Sequence, residues 1–202
     1  GNKISNPSFI SIDKQKGGVG KTTTAINLST ALAAVNNKVL IMDLDAQGNA
    51  STGLGVPKDE REKSTYDLLT GKASLKDVVK KTNIPSLFIA PASTDLSSID
   101  VDLFGEKGRV VKLRDLLAKE STDFDYILID CPPSLNLLTI NSMVASNSVL
   151  VPLQAEFFAL EGLSQLLLTV RDIRSKINQD LKIHGIVLTM FDSRNNLSEQ
   201  IE

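Results

Sequence analysis

The sequence predicts an α/β fold, a doubly wound, mostly parallel sheet with helices on both faces. Three observations carry that prediction. Short apolar runs alternate with longer stretches of helical periodicity along the 202 residues. The apolar runs are continuous rather than alternating, which is the pattern of strands buried on both faces. A glycine-rich loop follows the first run and aspartates close two later ones, as expected where strand ends gather a site along one edge of an open sheet.

Each element follows from its own stretch. Residues 8–12 read as a first strand that ends at the glycine loop, and residues 22–35 as a helix with Ala25, Leu28, Ala31 and Leu32 at helical spacing. Asn36-Asn37 is a turn-forming pair that leads into a second strand at 38–42. Strand, helix and strand in so short a space make a βαβ unit, so these strands are expected to be parallel with a right-handed connection. Further strands are read at 87–90, 126–129, 149–151 and 183–190, with helices at 112–120, 135–145 and 160–177. The polar region 57–84 is expected to hold two short amphipathic helices, at 65–69 and 75–80. No repeat and no second domain is visible, so residues 1–202 are expected to be one domain, with 1–7 a flexible N-terminus or tag remnant. Residues 196–202 read as the start of a helix, so either the natural protein is short or the chain is a fragment.

Composition narrows the function. Hydrophobic residues make up 42% and charged residues 23%, ordinary for a globular domain. A single cysteine, Cys131, excludes a disulfide framework within the chain. No apolar run approaches the ~18 residues of a membrane span. A net charge of −2, no Trp and only two Tyr argue against a stacking surface for nucleic acid. Binding to DNA would have to run through local Lys and Arg patches on phosphates.

The chemistry lies first in QKGGVGKTTT, residues 15–24. The phosphate-loop pattern is Gly, four fillers, then Gly-Lys-Ser/Thr. Gly20, Lys21 and Thr22 supply its end, but Gln15 stands in place of the opening glycine and a second lysine, Lys16, follows. Gly17, Gly18 and Gly20, with Val19 between them, let backbone N–H groups converge where a helix begins, a ready site for an anion. Lys21 adds a charge for the outer phosphates, the Thr22 hydroxyl is placed to ligate Mg²⁺, and Thr23 completes the ATP-binding stretch. Asp43 and Asp45 leave the second strand and Asp130 ends the strand YILID, so all three are expected near the Mg²⁺ and the terminal phosphate.

The blocks KGGVGKTT, DLDAQGNASTGLG, ILIDCPPS, VPLQAEFFALEGL and LTMFDSRNNLS stand in this order over nearly the whole chain. They resemble the ParA/Soj family of partition ATPases, part of the deviant Walker A class of P-loop ATPases that also holds MinD and the nitrogenase iron protein. The resemblance gives Lys16 a role as the class's signature lysine, which reaches across a homodimer to the phosphates of the ATP in the other subunit. A cation supplied in trans to a transferred phosphoryl group can give ~10³–10⁵ in rate when it is an arginine. The resemblance further implies that Asp45 orients or activates the attacking water. Asp43 would support it and the metal from behind, Asp130 would hold Mg²⁺ through water, and Gly17 would lie at the dimer contact. Gln47 and Asn49, and Pro132 and Pro133, would belong to loops that move with the γ-phosphate. Met190 and Asp192 would wall the adenine. The expected activity is Mg²⁺-dependent hydrolysis of ATP to ADP and phosphate, driving chromosome or plasmid segregation. The ATP-bound dimer would bind DNA nonspecifically, and a ParB-type partner would stimulate hydrolysis. The expected location is the bacterial cytoplasm, on the nucleoid and not on a membrane.

Departures from the family pattern are Ala46, where proline is common, and Lys14, where Asn is frequent. The family also continues for several tens of residues beyond position 202, a segment with further nucleotide contacts and basic surface. Arg171, Arg174 and Lys176 lie along one helix and could touch DNA phosphates or form a solvated face. Cys131 is expected in the core, and His184 is not expected to hold a metal. A MinD-like switch for membrane positioning is the alternative, and would need a terminal helix rich in Lys and apolar residues. An iron–sulfur carrier needs two cysteines per subunit and is excluded by the one present. A module that binds nucleotide without hydrolysing it remains distinguishable at Asp45.

Overall fold

The computed structural model describes residues 7–13, 21–120, 123–154 and 160–189. Among them, the strands β1 (Ser8–Ile12), β2 (Val39–Asp43), β3 (Lys80–Lys81), β4 (Leu87–Ala90), β5 (Tyr126–Asp130), β6 (Ser148–Gln154) and β7 (Lys182–Thr189) form one sheet. Their order is β3-β4-β2-β5-β1-β6-β7, parallel throughout except for the antiparallel edge pair β3–β4. The doubly wound, mostly parallel sheet expected from the sequence is the one observed.

The helices are α1 (Lys21–Ala34), α2 (Asn49–Gly53), α3 (Thr65–Leu69), α4 (Leu75–Val78), α5 (Ile99–Asp102), α6 (Lys112–Glu120), α7 (Leu137–Ala145) and α8 (Leu160–Lys176). They cover both faces, and the pleat shows how. Within β2, Leu40 and Met42 pack with Leu69, Leu113 and Leu117 of α3 and α6, whereas Val39 and Ile41 pack with Ala25 and Ala33 of α1. Successive residues point to opposite faces of a strand, so a strand that is apolar at every position requires two helical layers. A third cluster joins α7 and α8 to β6 through Met143, Val149, Val151, Leu166 and Val170.

The turn falls at Val35–Asn36, one residue before the pair read from the sequence, with Asn36 at a φ of 69°, a left-handed conformation that Asn tolerates better than most residues. Several boundaries differ from expectation by a residue or two, α7 starting at Leu137 rather than at 135, and two further differences have a visible cause. The helix read at 75–80 stops at Val78, because Val79 turns extended and Lys80–Lys81 add the short β3 to the sheet edge. Lysines on a two-residue edge strand discourage further strands from pairing there. The strand read at 149–151 runs from Ser148 to Gln154, and Pro152 is accommodated within it. The helices α2 and α5 are structural additions that the sequence pattern does not predict.

Candidate functional site

The central strands set the site. β2, β5 and β1 are neighbours, and their register places Asp43 opposite Asp130 and Asp130 opposite Ile12. Asp43 and Asp130 therefore end adjacent strands at the same level. β1 reaches that level too, and the glycine loop follows it in sequence. α1 begins at Lys21, so the backbone of Lys21, Thr22 and Thr23 forms its first turn. Lys16, Gly17, Gly18, Val19 and Gly20, together with Met190 and Asp192, lie outside the described residues.

Asp43 is fully buried and works as a local organiser. Its Oδ2 accepts from the Ser51 backbone N–H at 2.9 Å and the Ser51 hydroxyl at 2.6 Å, while Oδ1 accepts from the Asp45 N–H at 3.1 Å. One carboxylate thus fixes both the turn that carries Asp45 and the helix behind it. Asp45 is 7% exposed, and its Oδ1 accepts from the Gln47 N–H at 3.0 Å. The Asp45 carbonyl accepts from the Gly48 N–H at 2.8 Å, closing the turn. Gly48 has a φ of 64° and stands at the N-cap of α2 without a side-chain cap. A left-handed residue at that point suits glycine.

Ser51 ties the loop to its neighbours, since its hydroxyl also accepts from the Ala92 N–H at 3.0 Å just past β4. The Thr65 hydroxyl donates to the Asp43 carbonyl at 2.8 Å, so α3 is pinned to the same strand end. These two contacts are absent from the sequence reading. Nothing in the stretches NASTG or KSTYD distinguishes a hydroxyl that bridges strands from one that faces water.

The second loop runs from Cys131 to Asn136. Pro132 is buried while Pro133, Ser134 and Leu135 are exposed. Asn136 caps α7, its Oδ1 accepting from the Leu138 N–H at 3.0 Å and the Thr139 N–H at 3.3 Å. The Thr139 hydroxyl donates back to the Ser134 carbonyl, and the Leu137 N–H to Asp100 on α5 at 3.1 Å. The loop is anchored at its helix end and exposed in its middle, the form a segment needs if it is to respond to a ligand.

Behind this edge lies a buried polar cluster that the sequence reading did not single out. The Ser11 hydroxyl donates to Asp13 Oδ2 at 2.8 Å and shares a 2.7 Å hydrogen bond with the Ser142 hydroxyl. Among the described residues Asp13 Oδ1 has no hydrogen-bond partner. Burial pushes the Asp13 carboxyl up to about 7, against the opposing pull of the Ser11 hydrogen bond. Burial, and then the nearby Asp13, push the Cys131 thiol well above its usual range. Cys131 is a core residue, as expected, and its unreactive protonated form suits that place.

The donor set fits Mg²⁺ bound mostly through water and phosphate. Among the described residues no group of three His, Cys, Asp or Glu side chains forms a cage of its own. Mg²⁺ sites at phosphates typically use one or two protein groups plus water and substrate oxygens. Elsewhere, Arg171, Arg174 and Lys176 are exposed on α8, but Arg174 Nε donates to the Leu181 carbonyl at 2.8 Å and clips the helix to the start of β7. No helix among the described residues is long and apolar enough to cross a membrane.

Comparison with known proteins adds to this geometry. A family model described as an AAA domain matches residues 8–183. The chromosome partitioning protein ParA of Caulobacter vibrioides is 52% identical over 194 residues, covering 95% of this chain and 73% of that protein. The chromosome-partitioning ATPase Soj of Treponema pallidum is 49% identical over 187 residues, covering 93% of this chain and 73% of its own. Among solved structures, a cobyrinic acid a,c-diamide synthase from Mycobacterium smegmatis with bound ADP and magnesium superposes with a TM-score of 0.88. It is 37% identical, and the match covers 96% of this chain and 79% of that one.

Proposed function

The chain belongs to the ParA/Soj family of partition ATPases, and from that premise we propose that it is a Mg²⁺-dependent ATP switch for DNA segregation. ATP hydrolysis to ADP and phosphate drives the switch. The ATP-bound form is a homodimer that holds DNA without sequence preference, and a ParB-type protein stimulates its return to the released form. Its place is the bacterial cytoplasm, on the nucleoid.

The observation that carries the reading is the turn at Asp45. A buried Asp43 carboxylate holds the Asp45 N–H, and the Asp45 side chain closes the turn onto Gln47. The register sets this turn beside Asp130 on the neighbouring strand. A side chain held on such a scaffold keeps its orientation without reorganising at the moment of reaction.

In this proposal Lys21 and the amides of residues 17–23 cradle the triphosphate, and Lys16 reaches the phosphates of the partner copy. Asp45 holds the attacking water in line with the γ-phosphorus and accepts its proton. Thr22 and, through water, Asp130 and Asp43 hold Mg²⁺, which when bound neutralises charge on the β- and γ-oxygens. Gln47 and Asn49 on one loop, and Pro132 and Pro133 on the other, sense the γ-phosphate. Met190 and Asp192 wall the base. Arg171 and Lys176 are the better DNA candidates on α8, because Arg174 already serves the fold. A synthase reading would rest on a neighbour of 37% identity, and it yields to relatives of 49% and 52% over the same span.

Asp45→Ala tests the proposal. A positioned acid–base group contributes ~10²–10⁴ in rate, so Mg²⁺-dependent hydrolysis is expected to fall at least ~100-fold while ATP affinity stays at its unmutated value. Steady-state phosphate release and equilibrium binding of a fluorescent ATP analogue measure the two halves. Turnover absent from both proteins would leave a nucleotide-binding module instead, and turnover that is present and unchanged would remove Asp45 from the hydrolytic role.

A further inference from the structure

Arg61 is 8% exposed and reaches α2 at Thr52, the residue next to the Ser51 that Asp43 holds. Its Nε and Nη2 donate to the Val56 carbonyl at 3.1 and 2.6 Å, and Nη2 also donates to the Thr52 hydroxyl at 2.9 Å. Although Asp59, Glu60 and Glu62 flank it in sequence, no carboxylate pairs with it among the described residues. The remaining nitrogen, Nη1, lies over Gly48, where a Cβ on that residue would collide with it. A buried guanidinium satisfied only by neutral acceptors is costly to bury, so a purely stabilising role is a poor account of it.

The geometry supplies another. α2 has five residues and an N-cap with no side-chain hydrogen bond, so it has little intrinsic stability. Two pins fix it: Asp43 through Ser51, and Arg61 through Thr52 and the Val56 carbonyl just past its end. Gly48 joins α2 to the Asp45 turn, and Arg61 closes over that joint. We propose that Arg61 is a positioning residue for hydrolysis, bracing α2 and covering Gly48 so that the Asp45 turn keeps one orientation. The inference rests on the hydrolytic role proposed above for Asp45.

The test uses Arg61→Met, which keeps an apolar stem without donors, and Arg61→Lys, which restores one charged donor. Steady-state ATPase assays give kcat and KM, and amide hydrogen exchange follows residues 44–56. A displacement of about 1 Å near the reacting atoms can cost ~10²-fold in rate. For R61M we expect kcat to fall at least about tenfold with KM within about twofold, together with faster exchange across 48–56. R61K is expected to recover part of both. A loss confined to thermal stability, with kcat of the folded protein unchanged, overturns the inference. So does an unchanged exchange pattern. Should R61M fail to fold, R61K decides alone, and a kcat equal to that of the unmutated protein rejects the brace. If the unmutated protein shows no hydrolysis, the ATPase reading has failed, and the exchange arm still judges whether Arg61 holds the loop.

Discussion

Asp13 shows what one ionisable residue does when a strand end is sealed. Its carboxyl is held up to about 7 because burial penalises the charged form more than Ser11 favours it. The folded protein therefore binds this proton more tightly than the unfolded chain does. The stability that the neutral form contributes is fully present below about pH 4 and is lost as the pH rises through about 7. Asp13→Asn keeps an acceptor for Ser11 and cannot ionise. Its urea-unfolding free energy is expected to stay flat where that of the unmutated protein declines, with a gain above pH 7 of at most about 4 kcal/mol. Parallel pH profiles for the two proteins would show that Asp13 does not titrate in this window. The position was not legible in the sequence, because an aspartate between an apolar run and a glycine loop gives no sign of being buried. Asp43 and Asp130 were legible, since both end apolar runs and the parallel register brings them level.

At the scale of elements, length decided what could be read. α1, α6, α7 and α8 have between 9 and 17 residues and show enough turns for a helical period to emerge. α2 and α5 have four or five residues, barely one turn each, and exist because tertiary contacts hold them. α3 and α4 are equally short and were both read from the sequence as short amphipathic helices, and capping boxes, Ser64 with Asp67 and Ser74 with Asp77, hold their first turns. For α2 the contacts are specific. Ser51→Ala removes the hydroxyl that donates to Asp43 and accepts from the Ala92 N–H, leaving a buried donor without an acceptor. Such a loss costs about 1–3 kcal/mol, and we expect that fall in unfolding free energy from denaturant titration. We also expect slower ATP hydrolysis, because the Asp45 turn shares the same Asp43 carboxylate. A Ser51→Ala protein with unchanged stability would mean that water replaces the hydroxyl without cost.

Over the whole molecule, the sheet order follows from the parallel crossovers, and the site edge follows from the sheet. The strand ends set Asp43, Asp130 and the end of β1 at one level, and helices pack on both faces behind that edge. What a single copy does not hold, in the proposed function, is the second cation for its own triphosphate. On that proposal Lys16 serves the neighbouring copy's site, so assembly and hydrolysis would become one event. Lys16→Ala is accordingly expected to bind ATP normally and to lose partner-stimulated hydrolysis, read as phosphate release with and without the ParB-type protein. Normal stimulation in that variant would assign the second charge elsewhere. The most direct measurement is analytical ultracentrifugation of the Asp45→Ala protein, which is expected to retain ATP unhydrolysed, with Mg²⁺ and either ATP or ADP. The account predicts a dimer with ATP and a monomer with ADP, and a monomer in ATP once Lys16→Ala is added. A monomer with ATP bound, or the same dimer in both nucleotides, would contradict it.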